Sequence, residues 1–364
     1  MTDHEQAIAG RRATIVGCGL IGGSIALALH AAGWVVSGVD TDSARSTRAF
    51  EVGAIDSIGQ DPQAEITFIC VPVMAVPGAA AGALAATAPY GGLVTDVGSV
   101  KGRVVAAIDD ARFIGGHPMA GSEQEGVDGA DVAMFHGATW VLTPTAHTDP
   151  DAFSTLRGVV VSLGAEAVAI APERHDELVA LVSHVPHLTA AALMGLADDA
   201  STEHATLLRM AAGGFRDMTR IAAGHPGIWP DICTENADAI VAVLDDLLAE
   251  LARLRGVVAT GGRTELLTTL ERARHARANL PARMVAHPEA LAEVRIPVPD
   301  RTGVLAEVTT LAGELGVNIV DLEIAHSAEG DRGVIVLLVD AAQADLVRGG
   351  LFARGYRPAV TRLS

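Results

Sequence analysis

A chain of 364 residues, 49% hydrophobic and 19% charged, can bury a large core and has room for two or three domains. A net charge of −18 argues against nucleic acid and anionic membrane as partners, no apolar run approaches spanning length, and the N-terminus lacks a signal-peptide pattern. Cys18, Cys70 and Cys233 offer neither a metal-ligand spacing nor a disulfide framework, which points to a reducing cytoplasm and no metal.

Taken in chain order, "ATIVGCG" reads as a strand, "LIGGSIALALHAAG" as a helix and "VVSGVD" as a second strand. "ITFICVPV" and "GLVTDVGSV" follow as buried strands, then "TWVLTPT" and "AEAVAIAP". β-Branched runs between helices predict a parallel sheet covered on both faces, over residues 1–171. "GGHPMAGSEQEG" (115–126) is poor in helix and strand formers and reads as a rigid loop.

From residue 172 the pattern becomes helical. Leu178, Leu181, Val182 and Val185 form an apolar stripe, with Asp176, Ser183, His184 and His187 on the opposite side and Pro186 predicting a kink. For His175 and Asp176 a solvated face and a cleft wall are equally good readings. "NADAIVAVLDDLLAELARLRGVV" is a second long helix, so residues 172–284 form an all-helical domain. "NLPARMVAHPEA" is the linker, and residues 291–364 read as βαββα with a possible last strand, a small α+β unit.

"VGCGLIGGS" places Gly17, Gly19 and Gly22 as G-x-G-x-x-G between a strand and a helix, the dinucleotide-binding (Rossmann) context. The helix N-terminus at Leu20 and Ile21 offers N–H groups and a dipole to a pyrophosphate. Asp40, at the end of the second strand, is placed to accept from ribose hydroxyls and to repel a 2′-phosphate, which favours NAD over NADP. Val71 and Pro72 end a strand at the edge where dinucleotides lie.

Ser99 leaves another strand at that edge, either as a hydrogen-bonding group or as the N-cap of the next helix. Lys101 reads as a solvated helix residue. His117 suits the proton transfer that accompanies hydride removal from an alcohol. An acidic protein with an anionic substrate needs local cations; Arg216 and Arg220 supply them one helical turn apart, although Asp217 can pair with Arg220. Trp229 reads as core.

The ordered set "VGCGLIGGS", "DVGSVK", "GGHPMAGSEQEG", "SHVPH", "GGFRDMTRIA" and "WPDI…N" resembles the prephenate dehydrogenase family, and "VPDRTGVLAEVTTLAGELGVNIVDLEI" resembles an ACT domain. Together the resemblance covers nearly the whole chain. It implies a Rossmann domain, an all-helical dimerisation domain and a C-terminal ferredoxin-like ACT module. It implies oxidative decarboxylation of prephenate with NAD, giving 4-hydroxyphenylpyruvate, carbon dioxide and NADH, in a homodimer. By the same resemblance His117 accepts a hydrogen bond from the ring hydroxyl, Ser99 orients the reactants and Arg220 binds the ring carboxylate. His184 and His187 line the cleft, with His187 near the pyruvyl side chain, and Glu123 and Asp217 shape access. The ACT module implies an amino-acid effector, tyrosine foremost, near Asp300, Gly303 and Asn318. No helical segment ahead of residue 11 is expected to carry the chorismate mutase activity found in some related fusions. Competing readings are an arogenate dehydrogenase, a hydroxy acid dehydrogenase and a non-enzymatic sensor of NAD and an amino acid.

Overall fold

The computed structural model describes residues 10–122, 124–203, 206–279, 291–299, 301–326 and 332–362; Glu123 and Asp300 lie outside them. The chain divides into two compact units, Met1–Arg263 and Thr264–Ser364, each described by itself.

In the first unit, strands β1 (Arg12–Val16), β2 (Val35–Val39), β3 (Ser57–Ile58), β4 (Ile66–Ile69), β5 (Leu93–Asp96), β6 (Phe113–Pro118), β7 (Thr139–Thr143) and β8 (Glu166–Ala169) make one sheet. Its order is β3-β2-β1-β4-β5-β6-β7-β8. Helices α1 (Leu20–Ala31), α2 (Ser43–Glu51), α3 (Val76–Thr87), α4 (Gly102–Ala106) and α5 (Pro150–Ser162) connect strands. Side chains alternate across the sheet. Ile66 and Phe68 pack with Leu29 and Leu156 on one side, while Ile69 and Val94 pack with Val76 and Val104 on the other.

Two expectations are corrected here. The segment around His117 is not wholly a loop, because "FIGGHP" is β6 and His117 pairs with Val141 of β7. Nor is the sheet wholly parallel, since β6 and β7 run antiparallel. A parallel return needs a long crossover, usually a helix, and the described part of the β6–β7 connection holds only the short 3-10 turn Val127–Gly129.

Helix α6 (Pro172–Val179) continues through a π-helical turn, Ala180–His184, into α7 (Val185–Glu203). The predicted disturbance at Pro186 therefore takes this form. Pro186 has no N–H for the carbonyl four residues back, and the wider turn just before it absorbs the mismatch. Of the apolar stripe, Leu181 and Val182 turn outward, more than half exposed, while Val185 is buried, as are His175, Asp176 and His184. By length and composition Pro172–Ser201 is apolar enough to cross a membrane, which corrects the expectation that no segment is. Short helices α8 (Gly213–Thr219) and α9 (Trp229–Glu235) lead into α10 (Ala237–Thr260).

Helix α11 (Arg263–Ala278) belongs almost wholly to the second unit. There β9 (Leu291–Pro299), α12 (Val304–Glu314), β10 (Ile319–His326), β11 (Arg332–Asp340), α13 (Ala344–Ala353) and β12 (Ala359–Arg362) build an antiparallel sheet of order β10-β11-β9-β12. Val294, Ile296 and Val298 alternate inward from β9 onto Leu311, Val347 and Leu351 of the two helices. The last strand joins the βαββα reading.

Candidate active site

The parallel strands β1, β4, β5 and β6 end at one edge of the sheet. Ligands of open α/β sheets bind at that edge. A cleft of about 760 Å³ opens there, walled on the far side by His225, Gly227, Ile228 and Asp231. Gly19, Leu20, Ile21, Gly22, Val71, Pro72, Ser99 and His117 all line it. Ser99 does not cap the next helix, whose N-cap position is Lys101.

The glycine loop fits a dinucleotide pyrophosphate. Gly17 has φ +101°, and a Cβ there would stand 2.3 Å from the Cys70 carbonyl oxygen. A Cβ on Gly22 would stand 2.0 Å from the Gly17 carbonyl oxygen. At Gly19 a Cβ would meet nothing within 4 Å, so the loop presents bare backbone to open space at the α1 N-terminus. Asp40 accepts from the Cys18 N–H at 2.8 Å and from the Asp42 N–H at 2.9 Å. It braces this loop; Arg45, not Asp40, lines the cleft. Burial, reinforced by Asp40, pushes the Cys18 thiol up to about 11, and burial pushes Cys70 well up too, so neither is a nucleophile at neutral pH.

His117 sits at the end of β6, half-buried. Its Nδ1 lies 2.8 Å from Nε2 of His175, and His175 Nδ1 lies 2.8 Å from Oδ1 of Asp176. Asp176 also accepts the backbone N–H groups of Lys101 at 2.8 Å and Gly102 at 2.7 Å. Lys101 is fully buried in an ion pair with Asp96, contrary to the solvated position expected of it. Asp96 accepts further from the N–H of Gly98 at 2.8 Å and of Gly116 at 3.2 Å. Burial holds His117 well below the ordinary imidazole range, with His175, Lys101 and His184 adding to the effect.

Asn236 donates to the Asp176 carbonyl at 2.9 Å, and its Nδ2 lies 3.2 Å from His184 Nδ1. Burial lowers His184 to about 4, against the opposing pull of Asp176. His187 stacks on Trp229 with ring centres 3.6 Å apart and is lowered by burial. Trp229 is thus a partly buried platform between two histidines rather than pure core. His184 and His187 do not line the cleft that holds His117, and neither do Asp217 and Arg220, which are exposed on α8 and the following turn. In the second unit Gly303, with φ +89°, caps α12 and Asn318 is exposed before β10.

Sequence reasoning missed the roles of His175, Asp176, Lys101 and Asp96. The residues are visible, but helical period tells which of them share a face, not which face turns inward.

Residues 25–169 match the protein-family model described as prephenate dehydrogenase, nucleotide-binding domain, and residues 171–272 match its dimerization domain. Prephenate dehydrogenase of Bacillus subtilis is 32% identical over 88% of this chain and 90% of its own length. Among solved structures, prephenate dehydrogenase from Aquifex aeolicus, in complex with hydroxyphenyl propionate and NAD+, is 30% identical with a TM-score of 0.70, covering 74% of this chain and 97% of that one. Synechocystis arogenate dehydrogenase is 32% identical with a TM-score of 0.64, covering 73% and 99%. With its glycine cradle and its histidine-bearing cleft on one sheet edge, this chain belongs to the prephenate dehydrogenase family.

Proposed function

We propose that the cleft oxidatively decarboxylates prephenate to 4-hydroxyphenylpyruvate and carbon dioxide, with NAD reduced to NADH. The chain is an NAD-dependent dehydrogenase of this family. The observation that carries the reading is His117 and Ser99 in one cleft with the glycine-loop residues Gly19, Leu20 and Ile21. NAD, when bound, supplies the hydride acceptor. Gly17, Gly19, Leu20, Ile21 and Gly22 hold its pyrophosphate, Val71 and Pro72 flank it, and Asp40 supports it by bracing the loop.

His117 accepts the ring hydroxyl proton, and its burial keeps it neutral and ready to accept at pH 7. Loss of carbon dioxide aromatises the ring, and the proton returns to the ring oxygen, so no proton is released overall. A base that borrows and returns one proton needs no exit path. Ser99 orients the hydroxyl. The family resemblance assigns Arg220 to the ring carboxylate, His187 and His184 to the pyruvyl side chain, and Glu123 and Asp217 to access; since Arg220, His184, His187 and Asp217 lie off the wall of the His117 cleft, these roles require them to approach the bound substrate. The division into residues 1–171, 172–284 and 291–364, a homodimer through the helical part, a cytoplasmic location and an ACT-like C-terminal unit that binds tyrosine near Asp300, Gly303 and Asn318 belong to the same proposal.

The likeness to an arogenate dehydrogenase favours arogenate as the second reading. Absorbance of NADH formed from prephenate and from arogenate, each with NAD and with NADP, tests both. Turnover of prephenate with NAD is expected. Turnover of arogenate alone moves the assignment to the second substrate, and NAD binding without turnover of either leaves a sensor.

A further inference from the structure

Behind the cleft, Asp176, His175 and His117 form a buried file of hydrogen-bonding groups that ends at the cleft wall. A carboxylate only accepts, so His175 Nδ1 carries the hydrogen of its 2.8 Å contact with Asp176. A neutral His175 then presents a bare Nε2. The 2.8 Å contact with His117 therefore needs a hydrogen on His117 Nδ1. That leaves the lone pair of the His117 ring on Nε2.

We propose that His175 and Asp176 are positioning residues that lock His117 in its Nδ1–H tautomer, making Nε2 the basic atom of the cleft. This rests on the reading of His117 as the base. Asp176 is itself fixed by the N–H groups of Lys101 and Gly102, on the chain leaving β5. The helical part thus sets the tautomer of a histidine on the sheet, and the turn that follows Ser99 fixes the helical part. The hydrogen bond made by one imidazole nitrogen decides what the other can do. The proton that His117 borrows stays on Nε2 until it is returned, and the file moves no charge out of the site.

The test compares His175→Ala, His175→Gln and His117→Asn with the unaltered enzyme in steady-state assays across pH. His175→Ala is expected to lower kcat by roughly 10- to 100-fold with KM little changed, a fraction of what general-base catalysis contributes. Charged and titratable groups facing the pair are Lys101, Asp96, Asp176 and His184. With these unchanged, losing His175 admits water beside the His117 ring and relieves the burial that holds it low. The acid limb of kcat/KM then moves to higher pH. The amide oxygen of His175→Gln can stand where Nε2 stood, and most of the lost kcat returns. Equal loss in both His175 variants, or a change confined to KM, overturns the lock while His117→Asn remains inactive. Active His117→Asn overturns the base assignment itself. Should His175→Ala fail to fold, the nitrogen spectrum of histidine-labelled unaltered enzyme decides: an Nδ1–H ring at His117 is expected, and an Nε2–H ring refutes the lock.

Discussion

His184 shows how burial converts one side chain into a pH dependence of the whole fold. Its folded form titrates near 4, lowered first by burial, whereas an unfolded histidine titrates near 6.5. Between those values the unfolded chain binds a proton that the folded chain refuses. Stability therefore rises with pH across that window and falls on acidification, by up to about 3 kcal/mol for a shift of this size. His117, lowered well below its ordinary range, acts in the same direction. Thermal unfolding of the unaltered protein and of His184→Gln checks this: the melting temperature should climb between pH 4 and 6.5, and less steeply in the variant. Parallel slopes would remove His184 from the account. At this scale His117 and Ser99 were legible, because their motifs flank strand ends and strand ends meet at one edge. Lys101 and Asp176 were not. A buried ion pair and a buried carboxylate depend on partners 5 and 75 residues away, which local spacing does not report.

Among elements, the turn from β1 into α1 is the most tightly determined. Three backbones meet there, and the glycines are what let them. Gly22→Ala would drive a methyl group to 2.0 Å from the Gly17 carbonyl oxygen, so the loop must move and its N–H groups must leave their alignment. NAD affinity, read by fluorescence titration, should fall by about 10-fold or more, the scale of a lost charge-assisted hydrogen bond. Unaltered affinity would show that this loop does not hold the dinucleotide. The glycine spacing made this element legible from sequence, as did the β-branched runs of β1, β4 and β5. β6 escaped because glycine and proline are poor strand formers. Its pairing is supplied by Val141 and Leu142 of β7, far along the chain. The outward turn of the Leu181–Val182 face escaped for a similar reason: an apolar stripe says that something covers it, not that the covering belongs to the same chain.

At the scale of the molecule, an acidic protein of net charge −18 must hold an anionic dinucleotide, and the sheet edge answers that problem with backbone N–H groups at the N-terminus of α1. The same edge collects Ser99 from the turn after β5 and His117 from β6, and His225, Gly227 and Ile228 close the cleft from the helical side. The proposed base and the groups that contact it therefore come from two parts of the first unit. His117 belongs to the sheet, while His175 and Asp176 that hold it belong to the helices. Leu196, Val241, Leu248 and Val258 of the helical part are each more than half exposed, apolar surface that the proposed homodimer would cover.

The most direct test of the central claim is a crystal structure of this protein with NAD and hydroxyphenyl propionate bound. The phenol oxygen is predicted within about 2.6–3.2 Å of His117 Nε2, with Ser99 beside it and the nicotinamide across the ring. A phenol oxygen directed away from His117, or a ligand seated outside the cleft at the β5–β6 edge, would contradict it.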